Sequence, residues 1–148
     1  MNPCDRPLVV MGIDPGTAKC GIAVVSTIKG TILRKVVPTS EIGPTVLDLF
    51  GQFAPDVTAI GNGTHSAAII NTVEISLSSL NADATLVIVE ESHTSEAARK
   101  QAIIEEKPVG LRKFLPRALR SPIAAYDDIV AEILACRWIA KQAARQEE

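Results

Sequence analysis

Aromatic side chains are scarce in this 148-residue chain: one Trp, one Tyr and three Phe, 3% of the total. The apolar fraction of 47% is therefore carried by Ala, Ile, Val and Leu, and any core must be aliphatic. Cysteine is nearly as rare. Cys4, Cys20 and Cys136 are odd in number, far apart and without a CxxC pair. That pattern argues against a disulfide framework and a zinc site and points to a reducing, cytoplasmic setting. Neither sign of charge predominates, with a formal net charge of -2 and a pI of about 5.7. Bulk charge thus does not mark a strongly basic binder of nucleic acid or membranes, which leaves local basic patches to be considered. No apolar run approaches the roughly 20 residues that cross a bilayer, so no membrane association is expected. The opening MNPCDRPLVVMGIDPG does not read as a secretory leader, because its apolar stretch is short and runs into Asp-Pro-Gly. Repeats, linkers and low-complexity segments are not evident. The length suits one domain with a single substantial core.

β-branched runs alternate with Ala/Leu-rich stretches, the pattern of an α/β protein. Leu8 to Ile13 reads as a buried strand, followed by the turn DPGTAKC and a second strand from Gly21 to Ser26. A connection this short joins only an antiparallel pair. IKG then leads into a third strand, Thr31 to Val37. Glu41 to Phe53 has a helical apolar face of Val46, Leu47, Leu49, Phe50 and Phe53, broken by Pro55-Asp56. Val57 to Ile60 predicts a fourth strand, Ser66 to Leu80 a helix, Thr85 to Val89 a fifth strand, and Thr94 to Ile104 a helix capped by Thr94 or Ser95. The proline-broken EEKPVGLRKFLPRALRSP reads as a loop, and Asp127 to Arg145 as a closing helix with Ile129, Val130, Ile133, Leu134 and Trp138 on its apolar face. Three antiparallel strands followed by crossovers that add two parallel ones predict a mixed five-stranded sheet with helices on both faces.

In this arrangement strands one and five run parallel, so Asp14 and the pair Glu90-Glu91 end on one edge of the sheet. The closing helix can bring Asp127 and Asp128 to the same edge. Sites in open α/β sheets form outside the carboxyl ends of the strands. Three carboxylates converging there repel unless neutralised. A hard divalent cation, Mg²⁺ or Mn²⁺, is the natural solution, and two such ions roughly 3.5–4 Å apart clamp an in-line displacement at phosphorus. Each acid also has a plainer reading: Asp14 shapes the Pro-Gly turn, Glu90 or Glu91 is a solvated strand end, and Asp127 or Asp128 caps a helix.

Other features bear on nucleic acid. IGNGTHS offers Gly61 and Gly63 for close backbone approach at a helix start, or simply a strand-to-helix turn. Arg112, Lys113, Arg117 and Arg120 put four positive charges in a nine-residue stretch, suited to a nucleic-acid backbone or to solvent in equal measure. Phe114 within it serves as a base-stacking group or, more simply, as a core anchor. Lys19 stands where it can reach a phosphate at the Asp14 edge. His65 and His93, the two histidines, are proton shuttles or ordinary surface residues.

Three segments together resemble the RuvC/YqgF group of the ribonuclease H-like superfamily. MGIDPGTAKCGIAVV is similar to its first motif, a strand followed by Asp-x-Gly-Thr, a basic residue and a Gly-apolar-Ala strand. VIVEESHTSEAARKQ resembles the YqgF segment around Val-Asp-Glu-Arg, and YDDIVAEILACRWIA its closing Asp-led helix. AIGNGT is closer to the YqgF-like domain of the Tex proteins. The resemblance implies a ribonuclease H-like fold and a metal-dependent nuclease acting on RNA or branched DNA, of the precursor 16S rRNA processing or Holliday junction resolving type. It maps the catalytic acids onto Asp14, Glu91 and Asp127, with Asp128 as a further metal ligand, and Mg²⁺ or Mn²⁺ as the cofactor. It groups Lys19, Asn62, Arg112, Lys113, Arg117 and Arg120 as nucleic-acid contacts, and RuvC-type resolvases are homodimers. Glu90 stands where the motif has aspartate, Ser92 where it has arginine, and Asn62 where RuvC resolvases place a carboxylate. A non-catalytic nucleic-acid-binding module like that of Tex is the alternative. A nucleotide-binding ATPase of the actin type would need a second Asp-x-Gly loop, which the sequence lacks.

Overall fold

The structure, a computed structural model, describes residues 6–63, 66–80, 85–90 and 127–147. Five strands form one mixed sheet: β1 (Val9–Asp14), β2 (Lys19–Ser26), β3 (Gly30–Pro38), β4 (Val57–Gly61) and β5 (Thr85–Val89). Their order across the sheet is β3-β2-β1-β4-β5. The β1–β2 and β2–β3 pairs are antiparallel, and β1–β4 and β4–β5 are parallel. Among the described residues three helices flank it: α1 (Ile42–Phe53), α2 (Ser66–Ser78) and α3 (Asp127–Gln146). No helix among the described residues is long and apolar enough to cross a membrane.

The period-two alternation of the strands explains the layering. Met11, Ile13, Ile22, Val24 and Ile60 point to one face and pack beneath Ile42, Val46 and Leu49 of α1 and Ile69, Val73 and Leu77 of α2. Val10, Val25, Val57 and Ala59 point to the other and meet Ala135, Trp138 and Ile139 of α3. Both faces are covered, so β1 reads as a continuous apolar run rather than an alternating one.

The expected elements lie where the sequence puts them, with ends shifted by one or two residues. Lys19 and Cys20, expected in the turn, belong to β2, because the far end of β3 pairs with them as Lys19↔Pro38 and Cys20↔Val37. Glu41 ends a short 3-10 turn, Thr39–Glu41, instead of opening α1. The expected helix to Leu80 stops at Ser78, where Leu80 N–H donates to Leu77 O and the Ser79 hydroxyl to Ser76 O, tightening the last turn. The expected helix 94–104, the proline-broken stretch 105–122, Glu91, His65 and His93 lie outside the described residues.

Candidate active site at the Asp14 edge

Asp14 is the last residue of β1, paired across the ladder with Gly21 of β2. It points to the α3 face, the parity shared by Val10 and Gly12. The loop that follows is pinned: the Thr39 hydroxyl donates to Gly16 O at 2.8 Å, and Thr39 N–H to Ala18 O at 3.0 Å. The chain leaving Asp14 is thereby tied to the end of β3.

Helix α3 arrives over two glycines. A Cβ at Gly21 would overlap the backbone carbonyl of Asp127 and lie 2.6 Å from Asp128 N. One at Gly12 would overlap the carbonyl of Ala131 and lie 3.2 Å from Ala135 Cβ. Gly12 and Gly21 face α3 on adjacent strands, so they form a smooth seat on which the first turns of α3 rest in backbone contact. The seat carries Asp127 to the residue directly across the ladder from Asp14. On the other side of Asp14, one step past the last β1–β4 partners Ile13↔Ile60, stands Gly61. The lateral neighbours of Asp14 are thus both glycines, and the backbone of Asp127 fills the space over Gly21.

Ion pairs set which acid of α3 faces which way. Lys19 Nζ, at the start of β2, lies 3.7 Å from Asp127 Oδ2. Arg34 of β3 reaches Asp128 at 3.8 Å and Glu132 at 3.2 Å, joining two acids one helical turn apart. Asp128 also accepts from Ile129 N–H at 3.0 Å. Asp128 is therefore turned toward Arg34 of β3, and Asp127 toward Lys19 at the start of β2. Both belong to the first turn of α3, inside the helix rather than before it as a cap.

The remaining expected residues distribute as follows. Asn62 follows β4, exposed, its backbone N–H donating to Val89 O at 3.1 Å. Glu90 follows β5, and its carbonyl accepts from Arg137 Nη1 at 3.1 Å. Glu91, Arg112, Lys113, Arg117 and Arg120 are outside the described residues. Among the described residues no group of three or more His, Cys, Asp or Glu side chains is gathered as a metal site. Sequence reasoning missed Arg34 and the glycine seat. The seat has a legible signal in small residues of matching parity on adjacent strands; Arg34 has none, since its partners lie about a hundred residues away.

A mixed sheet in the order 3-2-1-4-5, with acids at the carboxyl ends of its parallel strands and at the start of a helix laid across them, defines the ribonuclease H-like fold. RuvC of Thermus thermophilus shares this fold at 19% identity, with a TM-score of 0.55 over 86% of this chain and 90% of that one. The same organism's RuvC in complex with Holliday junction substrate aligns with 91% of this chain and 96% of its own, again at a TM-score of 0.55. The Fowlpox virus resolvase, in complex with its substrate Holliday junction DNA, aligns at 12% identity and a TM-score of 0.56, covering 91% of this chain and 99% of that one. No protein-family model matches the chain, and no curated protein does.

Proposed function

We propose that the chain is a divalent-metal-dependent nuclease that hydrolyses phosphodiester bonds in RNA or branched DNA. The observation that carries this reading is the seating of Asp127 over Gly21, the ladder partner of Asp14, in a fold shared with Holliday junction resolvases. The donor set suits the group. Carboxylate oxygens are the ligands that Mg²⁺ and Mn²⁺ prefer, and the glycine seat brings the start of α3 against the ladder partner of Asp14. Asp14 and Asp127 would hold the cation. The third acid is proposed to be Glu91 rather than Glu90, because Glu90 has the parity of Ile88, opposite to the α3 face.

Such a cation, when bound, supplies a lowered water pKa and charge neutralisation at the scissile phosphate. The chain's own residues do the rest. Asp14 is fixed by the ladder and by the Thr39-pinned loop, so its carboxylate is pre-positioned. Asp127 is fixed by the backbone seat, and Arg34 holds Asp128 and Glu132 away from the reacting phosphate. Lys19, more than half exposed, neutralises Asp127 in the free protein. It is free to swing to a substrate phosphate when the carboxylate takes a cation. A homodimer in a cytoplasmic setting belongs to the same proposal.

A second reading has one observation in its favour. The Lys19–Asp127 pair partly balances the acidic edge without any metal, as a non-catalytic nucleic-acid-binding module would. One experiment separates the two: labelled four-way junction, single-stranded DNA and RNA are incubated with wild type and Asp14→Asn, in Mn²⁺ or in EDTA. The nuclease reading expects Mn²⁺-dependent cleavage that Asp14→Asn lowers at least about a hundredfold. Binding without cleavage supports the module, and full cleavage by Asp14→Asn overturns the assignment.

A further inference from the structure

Beside β5, along the C-terminal half of α3, runs a groove of about 410 Å³. That volume lies in the range of sites for small organic molecules. Ile88 and Val89 of β5 and Glu90 just after it form one wall; Arg137, Trp138 and Lys141 of α3 form the other. We infer that this groove seats an unpaired nucleotide of the substrate strand, with its phosphate at Arg137 and Lys141 and its base against Trp138 and Val89. The inference rests on the nucleic-acid reading above and adds a contact outside the acidic edge.

Four observations converge on it. Arg137 and Lys141 are one helical turn apart, and neither is in an ion pair among the described residues. Arg137 is nonetheless held in place, spending one of its five donors on the Glu90 carbonyl at 3.1 Å. The floor is apolar and aromatic: Trp138 packs on the Val10–Val57 core cluster from a half-buried position, and Val89 packs on the same cluster beside it. A base stacked on an aromatic ring beside cations that track the backbone is the general solution for unpaired strands. Finally, charge is segregated along α3. Asp127, Asp128 and Glu132 occupy its first half and Arg137, Lys141 and Arg145 its second. The same helix thus starts at the acidic edge and becomes basic about 15 Å along its axis. A strand whose scissile phosphate lies by Asp14 has an anion-binding surface on the next stretch of the helix, and Glu90 on the groove's rim directly precedes the proposed third acid.

Trp138 is the chain's one tryptophan, so its fluorescence reports on this groove alone. The experiment titrates the full chain with a ten-nucleotide oligothymidylate in EDTA, where no cleavage occurs. The expected result is a saturable change in Trp138 emission. Arg137→Gln/Lys141→Gln should raise Kd about tenfold at 50 mM salt, and the log–log salt slope should fall by about 0.7 for each phosphate that is no longer neutralised. Lys141→Gln alone, at an exposed position, should raise Kd about threefold, which keeps the test decisive if the Arg137 variant fails to fold. Lys29→Gln, in the β2–β3 turn, should change nothing. Several results would overturn the proposal: oligonucleotide binding with no change in Trp138 emission, an unchanged Kd in Lys141→Gln, an equal response to a blunt duplex, or a response to polyglutamate but not to the oligonucleotide. A chain that cleaves normally yet shows no groove response sinks this inference alone. A chain with the response but without metal-dependent cleavage sinks the nuclease reading alone.

Discussion

The glycine seat makes Gly21→Ala the most informative single substitution. The added methyl would meet backbone atoms only: the Asp127 carbonyl, with which it overlaps, and Asp128 N at 2.6 Å. No side-chain rotation relieves such a clash. Restoring an ordinary contact of about 3.5 Å requires the start of α3 to retreat by about 1.5 Å. Overpacking of this kind costs about 1–3 kcal/mol of stability. The same retreat carries Asp127 away from Asp14, and a displacement of about 1 Å at a reacting centre costs on the order of a hundredfold in rate. The two effects are separable with Leu134→Ala. That change removes a fully buried side chain from α3 at a cost of about 2–5 kcal/mol without pushing on Asp127. Urea denaturation and Mn²⁺-dependent cleavage should be measured on both variants. Gly21→Ala should lose far more activity than Leu134→Ala for equal or smaller loss of stability. A folded Gly21→Ala protein with wild-type cleavage and wild-type Mn²⁺ affinity would refute the seat as the device that positions Asp127.

Arg34→Met removes the link between β3 and two acids of α3; about 1 kcal/mol of stability should be lost in urea denaturation, and the loss should shrink at high salt because the pairs are part-exposed. Ala54 closes α1 with φ at +44°, a conformation that disfavours side chains, so Ala54→Gly should stabilise the fold by about 0.5–1 kcal/mol and raise Tm by a few degrees in calorimetry. Partial desolvation of the thiol of Cys136, an exposed residue of α3, and then the Glu132 carboxylate, push its pKa above the ordinary value of 9.0. Its alkylation, followed on the Cys136 peptide by mass spectrometry, should therefore be slow at neutral pH and still accelerate above pH 9, and Glu132→Gln should move the profile downward.

The strands were legible because each apolar run is bounded by a turn signal, and β1 to β3 are joined by links too short for anything but antiparallel pairing. The parallel additions follow from the helices between them. Asp14 could be picked out because an acid at the end of a buried strand has no packing role there. The different partners of Asp127 and Asp128 were not legible, since Arg34, which pairs with Asp128, reaches across from β3. The extension of β2 back to Lys19 was hidden for a similar reason: the partner that recruits it, Pro38, lies at the far end of β3. Gly12 and Gly21 read as parts of a motif, and their shared role emerges only when adjacent strands are in register and α3 lies on them. The groove beside Trp138 and Lys141 was not legible, because it depends on where β5 sits.

The central claim is that Asp14 and Asp127, more than a hundred residues apart in sequence, act as one cation site. Mn²⁺ titration followed by electron paramagnetic resonance on wild type, Asp14→Asn, Asp127→Asn and the double variant tests this directly. The account predicts that each single variant loses most of the binding and that the double variant loses little more, the non-additive behaviour of ligands to one ion. Additive losses, or Mn²⁺ affinity untouched by either single substitution, would contradict it.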